Sequence, residues 1–296
     1  MLIPTLVGIT FVCFLILQLV PGDPARTIAG PDAEDEAVQA FRVRLGLDKP
    51  IIIQYGNFLK NAIRGDLGVS IRTQNAVLNE ILPRFINTVK LALTSILISI
   101  PIGLIIGTIA STHQNTKIDY LAMGAVLLGI STPTFWSGMI LALIFAVYLG
   151  WVPSGGAGGF ISLILPSITL AAPSAAVTAR MTRSSMLEAL RQEYINTARA
   201  KGQKESKVIY KHALKNALIP TITIVGLQFG YLLGGAVLVE MVFTWPGLGR
   251  LIVESIFMRD YPMIQGGVML FSFSFVIVNL IVDIIYTYLD PRISYE

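Results

Sequence analysis

Six long apolar runs, at 2–20, 87–112, 118–149, 160–179, 218–239 and 263–289, set the terms on which this chain can fold. A run of about 20 apolar residues is enough for a helix to cross the hydrocarbon of a bilayer. Backbone polar groups have no water to bond there, so each crossing segment must satisfy itself as a helix or close into a barrel. Runs of this length select helices. The expectation is an all-α polytopic membrane protein with six transmembrane helices. Composition agrees, with 54% hydrophobic and 14% charged residues, against about 25% charged in an ordinary soluble domain. The third run is long enough to be tilted or broken near Pro133, and the fourth carries Pro166 and Pro173.

The runs divide the chain into a first transmembrane helix (1–20), a polar insertion (21–86) and a five-helix core (87–296) that holds a charged loop at 180–217. No cation precedes the first run, and Pro21-Gly22-Asp23-Pro24 follows it instead of a small-residue cleavage site, so an uncleaved helix is expected rather than a signal peptide. It begins abruptly, with Pro4 close behind Met1, and basic anchoring residues are expected to be missing from this version of the chain. The insertion has eight basic and eight acidic residues. Asp32 is placed to cap a helix with Glu34, Asp35 and Glu36 in its first turn, and Gly46 to close it. Pro50 suits the start of a second helix running to about Ile63, and Gly65-Asp66-Leu67-Gly68 reads as a turn. So short an insertion cannot bury a sizeable core and is expected to lean on the membrane domain. The loop at 242–262 has room for a short helix or a re-entrant turn. The single cysteine, Cys13, lies in the first run and allows no intrachain disulfide.

From Arg180 to Lys215 there are nine basic residues against three acidic. That excess marks a cytoplasmic loop. Six spans then put both termini in the cytoplasm and 21–86 outside, with Trp151 and Trp245 at the outer interface. The sequence pI near 9.2 comes from cations beside apolar spans, which topology explains without a nucleic-acid partner.

A carrier that drives itself with protons or sodium usually buries ionisable groups in its spans. Here Asp283 is the main such group; Asp119 and Glu240 fall at span ends, where snorkelling or interface solvation accounts for them. The sequence has no G-x-x-x-x-G-K-[ST] phosphate loop, no H-E-x-x-H, and only two isolated histidines, His113 and His212, so no metal site is expected. No nucleophile elbow is usable either. The expected role is therefore transport rather than catalysis, with energy supplied by a partner; a self-contained channel or secondary carrier is the alternative from another class. Gly103-x-x-x-Gly107 and the series Gly226, Gly230, Gly234 allow close helix contact, within this chain or against a second membrane subunit lining a path. Gln228 and Tyr231 suggest a wet or protein-covered side, and Ser131-Thr132-Pro133-Thr134 is a polar break that serves as a kink or a lining segment.

The segment from Glu193 to Pro220 sets small residues among long cations. Ala198 and Gly202 share a helical face that Tyr194 extends. Gly202 suits a helix end, and a second helix is expected from Glu205 to about Leu218, stopped by Pro220. Helix, glycine bend and helix make a compact knob. Charge alone leaves a topological loop and a docking element equally open.

This segment resembles the E-A-A loop of permease subunits in binding-protein-dependent ABC importers. Asn196, Thr197 and Ala198 stand where E-A-A does, Gly202 at the glycine and Leu214 at the later leucine. TARAKG followed by HALKNALIP is similar to the version in the dipeptide, oligopeptide, nickel and glutathione branch. Motifs along the chain support a B-type subunit of that branch: Ile3-Pro4-Thr5, Pro21-Gly22-Asp23-Pro24, Leu45-Gly46-Leu47-Asp48-Lys49-Pro50, Gly65-Asp66-Leu67-Gly68, Phe243-Thr244-Trp245-Pro246-Gly247-Leu248-Gly249 and Arg259-Asp260-Tyr261-Pro262.

The resemblance implies a type I ABC importer permease fold in a prokaryotic inner membrane. It also implies a second, C-type permease, two cytoplasmic ATPases that bind ATP and magnesium, and an extracytoplasmic binding protein, with no cofactor held by this chain. Glu193, Asn196, Thr197, Ala198, Arg199, Ala200, Lys201, Gly202 and Lys204 would form the helix coupled to an ATPase. Gly226, Gln228, Gly230, Tyr231, Gly234, Ser131 and Thr132 would serve the permease interface or path. Trp245, Pro246, Gly247, Arg259 and Asp260 would gate the outer side or meet the binding protein. Di- or oligopeptides are the expected cargo, because the path lacks a carboxylate or histidine cluster; nickel and glutathione are the alternatives within the branch.

Overall fold

The computed structural model describes residues 2–19, 24–29, 33–44 and 46–289. In chain order the helices are α1 (Leu2–Leu19), α2 (Pro24–Ala29), α3 (Asp35–Arg44), α4 (Ile51–Ile63), α5 (Val77–Thr112), α6 (Lys117–Ser131), α7 (Thr134–Leu141), α8 (Phe160–Leu190), α9 (Glu193–Ala200), α10 (Glu205–Lys207), α11 (Leu214–Val242), α12 (Leu248–Phe257) and α13 (Tyr261–Leu289). Wider π-helical turns, Ala142–Tyr148 and Val208–Ala213, extend α7 and join α10 to α11. Among the described residues there is no β-strand, only an isolated bridge between Val69 and Ala76.

Among the described residues, four helical stretches are long and apolar enough to cross a membrane: α5, α8, Ile224–Val242 of α11 and Tyr261–Val282 of α13. A fifth is the pair Lys117–Ser131 and Thr134–Tyr148, bent by 104°. The break expected near Pro133 is therefore real. Pro133 cannot donate to the ladder and holds Thr132 extended, at φ −81° and ψ 126°. The other apolar helix, α1, is 18 residues long.

Helix ends differ from the hydropathy boundaries in three places. The helix holding the second run starts at Val77, well before 87, and α8 continues past Ala179 to Leu190. Pro220 does not stop a helix but lies inside α11. A proline removes one ladder bond, which neighbouring helices and Ser/Thr side chains can offset in apolar surroundings; next to it Thr221 Oγ1 donates to the Ala217 carbonyl at 2.9 Å.

Two compact units emerge, 1–88 with 246–276, and 89–245 with 277–296. In the first, α4 packs on α1. Tyr55 is buried, its hydroxyl donating to the Val7 carbonyl at 2.9 Å and lying 2.8 Å from Thr10 Oγ1. The helix closed by Gly46 (φ +68°) and the one opened by Pro50 form as expected; the cap Asp32 lies outside the described residues. Turn Gly65–Gly68 leads to Ser70, which is fully buried and donates from Oγ to Asp260 Oδ2 at 2.5 Å. Asp260 Oδ1 accepts from the amides of Ile71 (3.2 Å) and Met263 (3.4 Å). One carboxylate thus caps α13 and ties down the segment between α4 and α5. Ser70→Ala leaves that carboxylate a bond short, at a cost of about 1–3 kcal/mol. Faster tryptic cleavage at Arg72 in detergent is the expected result; an unchanged rate would count against the tie. Asn87 Nδ2 donates to the Pro246 carbonyl (3.0 Å) and Thr88 Oγ1 accepts from the Leu248 amide (2.8 Å), which fixes the start of α12.

The second unit is built around α8, whose buried face is mostly Ala, Ser and Thr. Small side chains let neighbours approach closely. A Cβ added at Gly103 would lie 2.6 Å from Thr178 Cβ, and one at Gly107 would lie 2.5 Å from the Ala179 carbonyl oxygen. The Gly103/Gly107 pair therefore packs within this chain. So does Gly226, where a Cβ would meet Val282 at 2.7 Å. At Gly234 an added Cβ meets nothing within 4 Å. A core of Leu91, Leu165, Leu170, Leu232, Leu233, Ala236, Val239, Phe243 and Trp245 fills the unit. Trp245, expected at an interface, is 5% exposed and part of that core.

Candidate functional site

Two features of the second unit stand out, and α8 carries both. The first is the knob at its C-terminal end. Arg191 ends α8, and α9 folds back so that Ile195 and Ala198 are buried. They join Met186 and Ala189 of α8, Val208 and Ala213 of the π-helical turn, and Ala217 of α11. Residues three apart share a helical face, so burying Ile195 and Ala198 turns the rest of α9 outward. Glu193, Asn196, Thr197, Arg199, Ala200, Lys201, Gly202 and Lys204 are all exposed. Ala198, expected on the docking face, belongs instead to the seat beneath it, because Ile195 is the one large apolar side chain on α9 and dictates which side faces in.

Polar bonds brace the knob. Gly202 sits at φ +70°, where a side chain would be strained. Across that bend Arg199 donates to Glu205 from Nη2 to Oε1 (2.6 Å) and from Nε to Oε2 (3.2 Å). The hydrogen bond to Arg199 holds the Glu205 carboxyl below its ordinary range, and the same bond raises Arg199. Both groups are substantially exposed, so the pair orients the bend more than it stabilises it. Asn216 Nδ2 donates to the Tyr194 hydroxyl at 2.9 Å, and His212 Nε2 lies 2.8 Å from Gln203 Oε1.

The second feature is an open groove of about 490 Å³ between α7, α8 and α11. Apolar residues and four uncharged polar ones, Thr134, Ser174, Gln228 and Tyr231, line it. Gln228 Nε2 donates to Thr178 Oγ1 at 3.3 Å, and Tyr231 is 82% exposed. Of the residues expected on a path, Gln228 and Tyr231 line the groove. Ser131 is exposed and Thr132 half-buried at the break that delivers Thr134 to it. Gly226 and Gly230 do not line it, and Gly230 is buried. Gly235, beside the expected Gly234, does.

Three acidic groups in or near the spans differ from expectation or lie beyond view. Asp119 does not snorkel. It is 2% exposed and takes a two-pronged bond from Arg183, Nε to Oδ1 and Nη2 to Oδ2, both 2.7 Å. Glu240 is fully buried within the second unit. The side chain of Asp283 lies outside the described residues. Among the outer-gate candidates Trp245, Gly247 and Asp260 are buried, Pro246 half-buried and Arg259 exposed.

Comparison with known proteins places this architecture. The family model described as binding-protein-dependent transport system inner membrane component matches residues 99–295, and the N-terminal model for such components matches 2–92. The chain is 47% identical over 295 residues to the glutathione transport system permease protein GsiC of Escherichia coli strain K12, covering 100% of this chain and 96% of that protein. Identity and coverage are the same for GsiC of Salmonella typhimurium strain LT2. Among solved structures, the inward-facing MetNI methionine ABC transporter superposes with a TM-score of 0.62 at 18% identity, covering 71% of this chain and 96% of that one. An amino acid ABC transporter solved with histidines gives 0.55 at 16% identity, over 72% of this chain and 93% of that one.

Proposed function

This chain belongs to the binding-protein-dependent transport system inner membrane components, as an ABC importer permease of the peptide and glutathione branch with the type I fold, and on that premise we propose that it carries a short peptide inward under the drive of partner ATPases. It forms the path with a second permease, receives cargo from an extracytoplasmic binding protein, and leaves ATP and magnesium to the ATPases. Glutathione, a tripeptide, is the cargo named for relatives at 47% identity, and di- or oligopeptides share its chemistry. The uncharged polar groups of the groove suit such a backbone better than a bare nickel ion. Six crossings, counting α1, with both termini in the cytoplasm, fit the basic knob lying on the inner side.

The observation that carries this reading is the knob. Its outer face is left exposed because the chain supplies its own seat from α8, the π-helical turn and α11. An ATPase that grips this face and moves on closing would tilt α8 and α11 and so reshape the groove.

Gly202→Trp tests it. A Cβ there meets nothing within 4 Å, so the substitution adds left-handed strain, about 1–2 kcal/mol, and bulk at an exposed position. Gly202→Ala carries the strain without the bulk. In the reconstituted complex Gly202→Trp should stay in the membrane but lose ATPase co-purification and uptake, while Gly202→Ala keeps most of both; normal uptake by Gly202→Trp would sink the docking role. Cargo is settled by which ligand, on its binding protein, stimulates ATP hydrolysis: glutathione or a dipeptide above background is the expected result, and stimulation by nickel alone would reverse it.

A further inference from the structure

The Asp119–Arg183 pair joins two elements that the proposed mechanism needs to move together. Arg183 lies on α8 between its groove-lining residues, Leu170, Pro173, Ser174 and Val177, and the knob-seating Met186 and Ala189. At 1.5 Å per residue, it is about 9 Å along the helix from Val177. Asp119 lies in the first turn of α6, whose far end breaks at Thr132–Pro133 and hands Thr134 to the groove. Arg183 is the group that fastens α6 to α8 by charge, while Gly129 rests on Ala176, where an added Cβ would stand 3.3 Å from the alanine Cβ.

The carboxylate is well satisfied. Beyond both prongs from Arg183, Oδ2 accepts the Asn115 amide at 3.0 Å, with Asn115 itself at φ +60°. The carboxylate is buried and the guanidinium a quarter exposed; such a pair is weak evidence for stability alone, since desolvation offsets much of its attraction. What it supplies is a fixed geometry, because a planar guanidinium forked onto a carboxylate tolerates little rotation.

We propose that Asp119 and Arg183 are positioning residues for transport, clamping α6 to α8 so that tilt imposed at the knob is passed through α6 to the polar break and opens or closes the groove. This rests on the knob being the ATPase-docking element. Neither residue touches cargo or ATPase.

The test uses the full complex in proteoliposomes with both permeases, the ATPases and the glutathione-loaded binding protein. Asp119→Asn keeps the side-chain shape and weakens the fork. ATPase co-purification and stimulated hydrolysis should stay within about twofold, while uptake per ATP falls about 5- to 100-fold, the range of ordinary coupling energies. The second variant is Asp119→Cys/Arg183→Cys in a Cys13→Ser background, inactive until a short bifunctional thiol reagent bridges the two positions. Bridging should restore uptake per ATP, which a purely electrostatic role would not predict. Wild-type uptake per ATP in Asp119→Asn, or an assembled and bridged double-cysteine complex that stays uncoupled, would overturn the clamp. Should Asp119→Asn fail to assemble, the bridged variant alone decides in the same way. Loss of ATPase from Gly202→Trp beside normal coupling in Asp119→Asn removes the clamp and leaves the docking reading standing; normal uptake by Gly202→Trp removes the docking reading itself.

Discussion

Gly107→Leu should leave almost no folded protein in the membrane. A Cβ there would lie 2.5 Å from the Ala179 carbonyl oxygen, 2.6 Å from Thr182 Cβ and 3.0 Å from the Arg183 amide nitrogen. Two of those atoms belong to the backbone of α8, so no rotamer change relieves the clash; α5 and α8 must part. Overpacking commonly costs about 1–3 kcal/mol, and a clash against main chain belongs at or above the top of that range, a large share of the roughly 5–15 kcal/mol that holds a protein folded. Gly124→Leu on α6 is the control, since its added Cβ meets nothing within 4 Å. The measurement is the yield of monodisperse protein in mild detergent. Equal yields for the two would mean that α5 and α8 are not in contact at Gly107.

Ala198→Glu should open the knob while the spans stay inserted. Ala198 is 6% exposed beside the fully buried Ile195 and Val208. A carboxylate forced into that seat lies among the apolar side chains of Met186, Ile195, Val208 and Ala213, and a buried unpaired charge costs about 3–5 kcal/mol. The helix α9, only eight residues long, has little independent stability with which to resist. Hydrogen exchange across Glu193–Ala200 should become fast, and ATPase co-purification should fail with it. Thr197→Glu places the same charge one residue earlier on the exposed side, so protection of α9 should persist there. Slow exchange in Ala198→Glu would show that the seat is not what holds the helix.

Several elements could be read directly because their cause is local. Gly46 ends α3 in a left-handed turn, Pro50 precedes α4, and Pro133 breaks the third span by 104°. Other boundaries could not be read from hydropathy, because hydropathy reports where lipid is and not where the helical ladder ends. Thus α8 runs on past Ala179 through Thr182, Arg183 and Ser185, and α11 passes through Pro220. In the knob, the existence of two helices about Gly202 was legible, but the face was not taken correctly. Spacing from Gly202 drew attention to Ala198, whereas Ile195 and Ala198 together define the inward side. The pairing of Asp119 with Arg183 joins residues 64 apart in sequence, and that of Ser70 with Asp260 joins residues 190 apart. Neither leaves a periodic trace. The only available hint was an acid and an arginine stranded near apolar runs, for which pairing is the cheapest arrangement.

The division of labour on α9 has an evolutionary corollary. Ile195 and Ala198 answer to the fold by packing, Tyr194 and Arg199 by their bonds to Asn216 and Glu205, whereas Asn196, Thr197, Ala200 and Lys201 are exposed. On the docking proposed for this face, substitutions at Asn196, Thr197, Ala200 and Lys201 would follow a changing ATPase while the permease keeps its architecture. A transporter lineage built this way can exchange engines by altering a handful of surface positions, leaving the passage through the membrane untouched.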